Sequence, residues 1–166
     1  ISDETAKAAN AAKELTRAEQ AIFESETDAL VTLSAMSREL ANQKSLVADQ
    51  TKSIKERNAA ANQGLSTLKQ MENIEVGILK QKYEQIKAQN ELSYTSADDR
   101  RKEMEALAAL QSKQAEYTEK QKELISQASS FEQQEIAKNS AAAAAAEQAK
   151  AQAAIKATEE AEKRKR

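Results

Sequence analysis

The side chains of this sequence that could do chemistry are carboxylates, amines, guanidiniums, hydroxyls and carboxamides, because it contains no His, no Cys and no Trp. Without imidazole or thiolate, the common nucleophile–base pairs and zinc sites have no ligands. The adjacent acids Asp98 and Asp99 are the obvious pair for general acid–base work. They also follow Ser96 at the spacing of an N-cap and its third helical residue, where acids suit the positive end of a helix dipole, and the structural reading is preferred. Neither GxxxxGK[ST] nor GxGxxG occurs, so phosphates have no glycine-rich cradle. The expectation is a protein that is not an enzyme, with no catalytic, cofactor-binding or metal residues and no small-molecule substrate.

Two other groups carry charge or bulk that could recognise a partner. The run Lys163-Arg164-Lys165-Arg166 could touch nucleic acid or serve as a localisation signal, but four cations at a helix C-terminus also complement the dipole. Specific nucleic-acid binding is therefore not expected. Phe23 and Phe131 are too few for a membrane-surface belt and are read as core knobs.

The elements that must position these groups are helices. There is no Pro, only two Gly, and 3% aromatic residues, while the 40% hydrophobic content is largely alanine. Alanine favours helix but buries little area, so the mixture is that of long helices and coiled coils. The predicted fold class is all-α: long extended helices forming a coiled coil or helical bundle, without a compact globular core. With 25 basic against 27 acidic residues there is no net field toward nucleic acid or anionic lipid. No apolar run reaches the roughly 20 residues of a membrane span, and no signal-peptide pattern opens the chain, so a soluble protein is expected. Ile1 in place of Met reads as an excised or processed piece of something longer.

A helix is predicted to start at once, with Ser2 as cap and Asp3 and Glu4 in its first turn. Ala8, Ala11, Leu15, Ala18 and Ile22 then alternate by three and four. Leu33, Leu40, Val47, Ile54, Ala61 and Leu68 follow at intervals of seven, which predicts one seam facing a partner over six heptads. The companion column is Met36, Gln43, Gln50, Arg57, Gly64 and Met71. The track shifts to Val76, Leu79, Tyr83 and Ile86, and a kink or stutter is expected around Gly64. After Met104 and Leu107 it resumes as Leu110, Tyr117, Leu124 and Phe131, with Gln114, Gln121 and Ala128 beside it.

These tracks divide the chain into a first long helical segment over 1–92, a break or corner over 93–96, a second helical segment over 97–140 and an Ala/Lys/Glu-rich helical tail over 141–166. Ser96 and Asp99 offer a capping box, so a helix could begin at Ala97. Because no Gly or Pro stands there and the 3-4 spacing runs through, a continuous or gently bent helix is placed slightly ahead of an antiparallel hairpin. The polar seam of Gln43, Gln50, Gln114 and Gln121 costs stability in a two-stranded coiled coil. It points either to a weak, locally flexible coiled coil or to self-association as a trimer or larger bundle with a hydrated axis.

The stretch 6–136 resembles the helical portions of tail tape measure proteins of long-tailed bacteriophages, in segments such as Lys80-Gln81-Lys82-Tyr83-Glu84-Gln85-Ile86 and Ala106-Leu107-Ala108-Ala109-Leu110-Gln111-Ser112-Lys113-Gln114. The resemblance is compositional and covers about four fifths of the chain. It implies a multi-chain helical bundle in the lumen of the phage tail, a virion component contacting tail-tube proteins and setting tube length. At ~1.5 Å per residue one continuous helix would be a ruler of roughly 250 Å. The hydrophobic segments of that family are missing, so the chain would be a fragment. The stretch 141–166 looks instead like the spacer helices of Tol-system envelope proteins and the rods of colicins, which implies a helical hairpin with its tip at 93–96 and envelope proteins as partners. A generic coiled-coil scaffold is the third class.

Overall fold

The computed structural model describes residues 2–92 and 95–166. Among them are three α-helices and no strand: α1 (Ser2–Ala48), α2 (Ile54–Leu92) and α3 (Ala97–Lys165). The chain is all-α. With 47, 39 and 69 residues, the helices measure about 70, 60 and 100 Å at ~1.5 Å per residue. Ile1, Ser93 and Tyr94 lie outside the described residues, and with the last two goes part of the expected corner.

The predicted first segment is interrupted by a turn over 49–53 that the heptad spacing conceals. Asp49 Oδ1 accepts from the Thr51 amide at 3.0 Å and from the Thr51 hydroxyl at 2.6 Å. Ser53 Oγ then accepts from the Glu56 amide at 3.1 Å and caps α2. Side-chain oxygens thus replace the backbone partners that a helix would supply, and the chain turns without Gly or Pro. Leu33, Leu40 and Val47 therefore lie on α1, and Ile54, Ala61 and Leu68 on α2. The seven-residue spacing holds across the turn because burial is regular on either side of it, not because one helix runs through.

The second reversal corrects the preference for a continuous helix. Ser96 Oγ accepts from Asp99 N at 3.1 Å while Asp99 Oδ2 accepts from Ser96 N at 3.2 Å, the expected capping box. Asn90 Nδ2 reaches Asp99 O at 3.0 Å, and the Thr95 hydroxyl donates to Asn90 O at 2.7 Å, which fastens the end of α2 to the start of α3.

Both neighbouring pairs are antiparallel. Along α1 and α2, Glu26 meets Lys82, Gln43 meets Thr67, and Val47 shares a buried cluster with Ala60 and Ala61. Along α2 and α3, Asn90 meets Asp99, Glu75 meets Lys113, and Glu72 meets Gln121. The middle helix α2 lines up with both others, which meet each other only through side chains. Two buried clusters hold the three together: Leu40, Leu68, Met71, Tyr117 and Leu124, then Val47, Ala60, Ala61, Ala128 and Phe131 nearer the turn.

At Gly64, where a kink or stutter is expected, α2 stays α-helical, and neither glycine has positive φ. Glycine stands there for close approach: a Cβ would sit 3.0 Å from Leu124 Cδ1 and 3.7 Å from both Leu40 Cδ1 and Gln43 Oε1. Gly77 has nothing within 4 Å of such a Cβ.

Candidate functional site

The predicted seam residues fall into three environments. Leu40, Val47, Ala61, Leu68, Leu110, Tyr117, Leu124 and Phe131 are buried. Leu33, Ile54, Val76, Leu79, Tyr83, Ile86 and Leu107 are half-buried, and Met104 is exposed. Phe23, expected as a core knob, is 68% exposed. It follows Ile22, which takes the inward position at 8% exposure, so Phe23 is turned about 100° away from α2.

The polar seam divides as well. Gln43 is buried and answered within the chain, because its Oε1 lies 3.1 Å from the Thr67 hydroxyl and its Nε2 donates to Glu39 at 3.3 Å. The same Thr67 hydroxyl lies 3.0 Å from Gln63 O, so it is shared between two acceptors. Gln121 is half-buried and donates to Glu72. Gln50 sits exposed in the first turn, and Gln114 is exposed on α3. Of the four, Gln43 and Gln121 are thus reached by the chain's own helices.

Arg57 is the joint of the turn end. Its Nε donates to Val47 O at 2.9 Å, and its guanidinium lies 4.8 Å from the centre of the Phe131 ring. The last turn of α1 has no basic residue of its own, so this side chain from α2 satisfies an end carbonyl and opposes the negative end of that helix. In the sequence Arg57 stands in the companion column beside the seam. The signal was available: Asp49, Thr51 and the Ser53-x-x-Glu56 pattern mark a turn, and an arginine just beyond it can reach back to the helix end.

A charged ladder runs along α2 and α3. Lys113 Nζ lies 3.1 Å from Glu116 and 3.3 Å from Glu75, and Lys120 Nζ lies 3.0 Å from Glu116. The hydrogen bond to Glu116, joined by Glu75, raises the Lys113 pKa above its ordinary value against the pull of desolvation. Lys120 and then Lys113 lower that of Glu116. Burial, with Glu75 facing the phenol, pushes the Tyr117 hydroxyl well above its usual range. Each shift stabilises the form already present at neutral pH, and of these ion pairs Lys113–Glu75 joins α3 to α2.

Toward the α2–α3 corner, shallow grooves flank α1 and α2. One is lined by Ala8, Ala11, Ala12, Leu15, Gln89 and Leu92, and another by residues that include Ala18, Ile22 and Ala88. Glu19 accepts from Gln89 at 2.9 Å and Glu26 pairs with Lys82, tying the same stretch across its rim. Beyond the clusters, α3 runs on alone, and every residue over 136–166 is exposed. Lys163, Arg164 and Lys165 occupy its last turn, where they oppose the helix dipole. No helix among the described residues is long and apolar enough to cross a membrane. Comparison with protein families, with curated proteins and with solved structures finds no match.

Proposed function

We propose that this chain is a structural spacer, a helical rod whose antiparallel body anchors a projecting helix. The observation that carries this reading is the exposure of all of 136–166 on a helix that begins inside the body. An alanine-rich helix with i,i+4 pairs such as Glu159–Lys163 can extend without a core, so it adds reach at little cost in sequence. The two chain reversals favour the resemblance to envelope-spanning and colicin-type rods over the tape measure. A ruler inside a phage tail would use the full ~250 Å of one helix, and the virion location belongs with that reading. The body plus the projecting helix spans about 120 Å at ~1.5 Å per residue.

Small-angle scattering on the monomer tests this directly. A maximum dimension near 120 Å is the expected result. A near-spherical particle of ordinary single-domain size would refute the spacer, and a dimension near 250 Å would restore the single-helix ruler.

A further inference from the structure

The 49–53 turn separates two halves of one seam without shifting its phase. Val47 and Ala61 each stand seven residues from Ile54, Leu40 and Leu68 fourteen, Glu26 and Lys82 twenty-eight, and Glu19 and Gln89 thirty-five. These pairs are also partners in the fold. Val47 and Ala61 share one buried cluster, with Ile54 packed against it, and Leu40 and Leu68 share the other. Lys82 pairs with Glu26, and Gln89 donates to Glu19. The register of α1 on α2 is therefore symmetric about a residue that itself lies on the seam. A hairpin needs no such agreement, because its turn is free to rotate one helix against the other.

The turn also lacks the residues that forbid a helix. It reads Asp49-Gln50-Thr51-Lys52-Ser53, without Gly or Pro, and no described residue has positive φ. Local bonds hold it: Asp49 with Thr51, Ser53 with Glu56, and Arg57 on the Val47 carbonyl. A helix running through 49–53 would answer the same backbone groups with its own i→i−4 bonds.

We infer that this turn is a hinge on which two copies of the chain exchange α1: α1 and α2 straighten into one helix over 2–92, and two such helices lie antiparallel about a twofold axis at Ile54. Because the seam keeps its phase, α1 of each copy makes on the partner's α2 the contacts it makes within its own chain, Leu40 beside Leu68, Val47 beside Ala61 and Glu26 beside Lys82. The pairing of α2 with α3 is untouched. An unmet bond also points to a second copy. Asn58 Oδ1 is buried with no hydrogen-bond partner among the described residues, and Gln50 is exposed in the turn. Gln50 lies four residues before Ile54 and Asn58 four after it, so exchange sets the carboxamide of the partner's Gln50 opposite Asn58 as a donor for that oxygen. The hairpin prevails in dilute solution because its closure is intramolecular, and the exchanged dimer grows with concentration. The exchange is independent of the spacer reading, because a strictly monomeric chain would still be a spacer.

The test is sedimentation equilibrium of the 166-residue chain after refolding at about 100 µM. The expected result is a dimer beside the monomer, the two converting slowly because α1 must leave α2 before it can be exchanged. Asp49→Ala with Ser53→Ala removes side-chain bonds of the turn and favours helix there, so it should raise the dimer association constant tenfold or more. Gln50→Pro should lower it tenfold or more. Proline breaks a continuous helix but suits the second position of the turn that the 3.2 Å bond from Lys52 N to Asp49 O closes. Circular dichroism should show helix content retained in both variants. In a chain that otherwise has no cysteine, refolding Glu26→Cys chains together with Lys82→Cys chains should give disulfides between unlike chains and not between like ones. A wild-type chain that stays monomeric, a dimer that Gln50→Pro leaves intact, or disulfides no more frequent between unlike chains than between like ones would overturn the exchange.

Discussion

The half of the molecule beside the 49–53 turn and the half toward the α2–α3 corner use the same helical periodicity and arrive at different packing. Beside the turn, Leu68 and Ala61 are 0% exposed and Tyr117 and Leu124 are 2% exposed, because side chains from all three helices converge there. Toward the corner, Ile78, Leu79, Tyr83 and Ile86 are only half-buried, and Leu92 and Met104 are exposed. The difference lies in knob size and in the third helix. The inward positions of α1 are Leu40 and Val47 in one half, and Ala11, Leu15, Ala18 and Ile22, half of them alanine, in the other. Alanine presents too little area to hold a third helix close, so periodicity alone does not make a core.

The strongest test removes the same side chain from each half. Leu68→Ala is expected to cost about 3–5 kcal/mol in urea unfolding, as full burial predicts. Leu79→Ala, half-buried, should cost about 1 kcal/mol. Equal losses would erase the distinction between the halves.

Next in size, Arg57→Ala should destabilise the turn end by about 1–3 kcal/mol, because it removes a charged donor from the Val47 carbonyl and a cation from the Phe131 ring. Amide exchange should show the last turn of α1 loosening first. If exchange rises evenly along α1, Arg57 is not the joint described above.

The two glycines should respond differently. Gly77→Ala meets open space and should stabilise by about 0.8–1 kcal/mol through helix propensity. Gly64→Ala gains the same propensity but sets a methyl 3.0 Å from the buried Leu124 Cδ1, so its melting temperature should fall below that of Gly77→Ala. A Gly64→Ala protein as stable as Gly77→Ala would mean that the close approach of the three helices is slack.

The smallest effect concerns pH at the two reversals. Hydrogen bonds from Thr51 lower the pKa of Asp49, and hydrogen bonds from Ser96 lower that of Asp99, both from 3.8. A carboxylate depressed in the folded state contributes stability above its ordinary pKa, and this is lost as pH falls through the lowered native value. Carboxyl carbon titrations should therefore give midpoints under 3.8 at both aspartates. Thr51→Ala should move the Asp49 midpoint back toward the ordinary value and leave Asp99 unmoved.

Several of these features were legible as residues. The buried positions Leu40, Val47, Leu68, Tyr117, Leu124 and Phe131 follow from seven-residue spacing, and the Ser96–Asp99 capping box follows from its own pattern. The 49–53 turn was written in Asp49, Thr51 and Ser53-x-x-Glu56, but the unbroken interval from Val47 to Ile54 masked it. Phe23 misled for a simpler reason: one position along a helix is a rotation of about 100°, and Ile22 already held the inward place.

Helicity was decided by the sequence itself, because alanine, glutamate, lysine and glutamine favour helix locally and no proline interrupts them. The inward face was decided there too, since a 3-4 spacing marks one side of a helix whatever covers it. Tertiary structure alone decided what covers it. A heptad track names a face and not a partner, so the same residues could have met another chain. Two short turns brought α2 between α1 and α3, and Gln43 found Thr67 within its own chain. Contact across sequence distance depends on where the chain reverses, and that is not a property of any one helix.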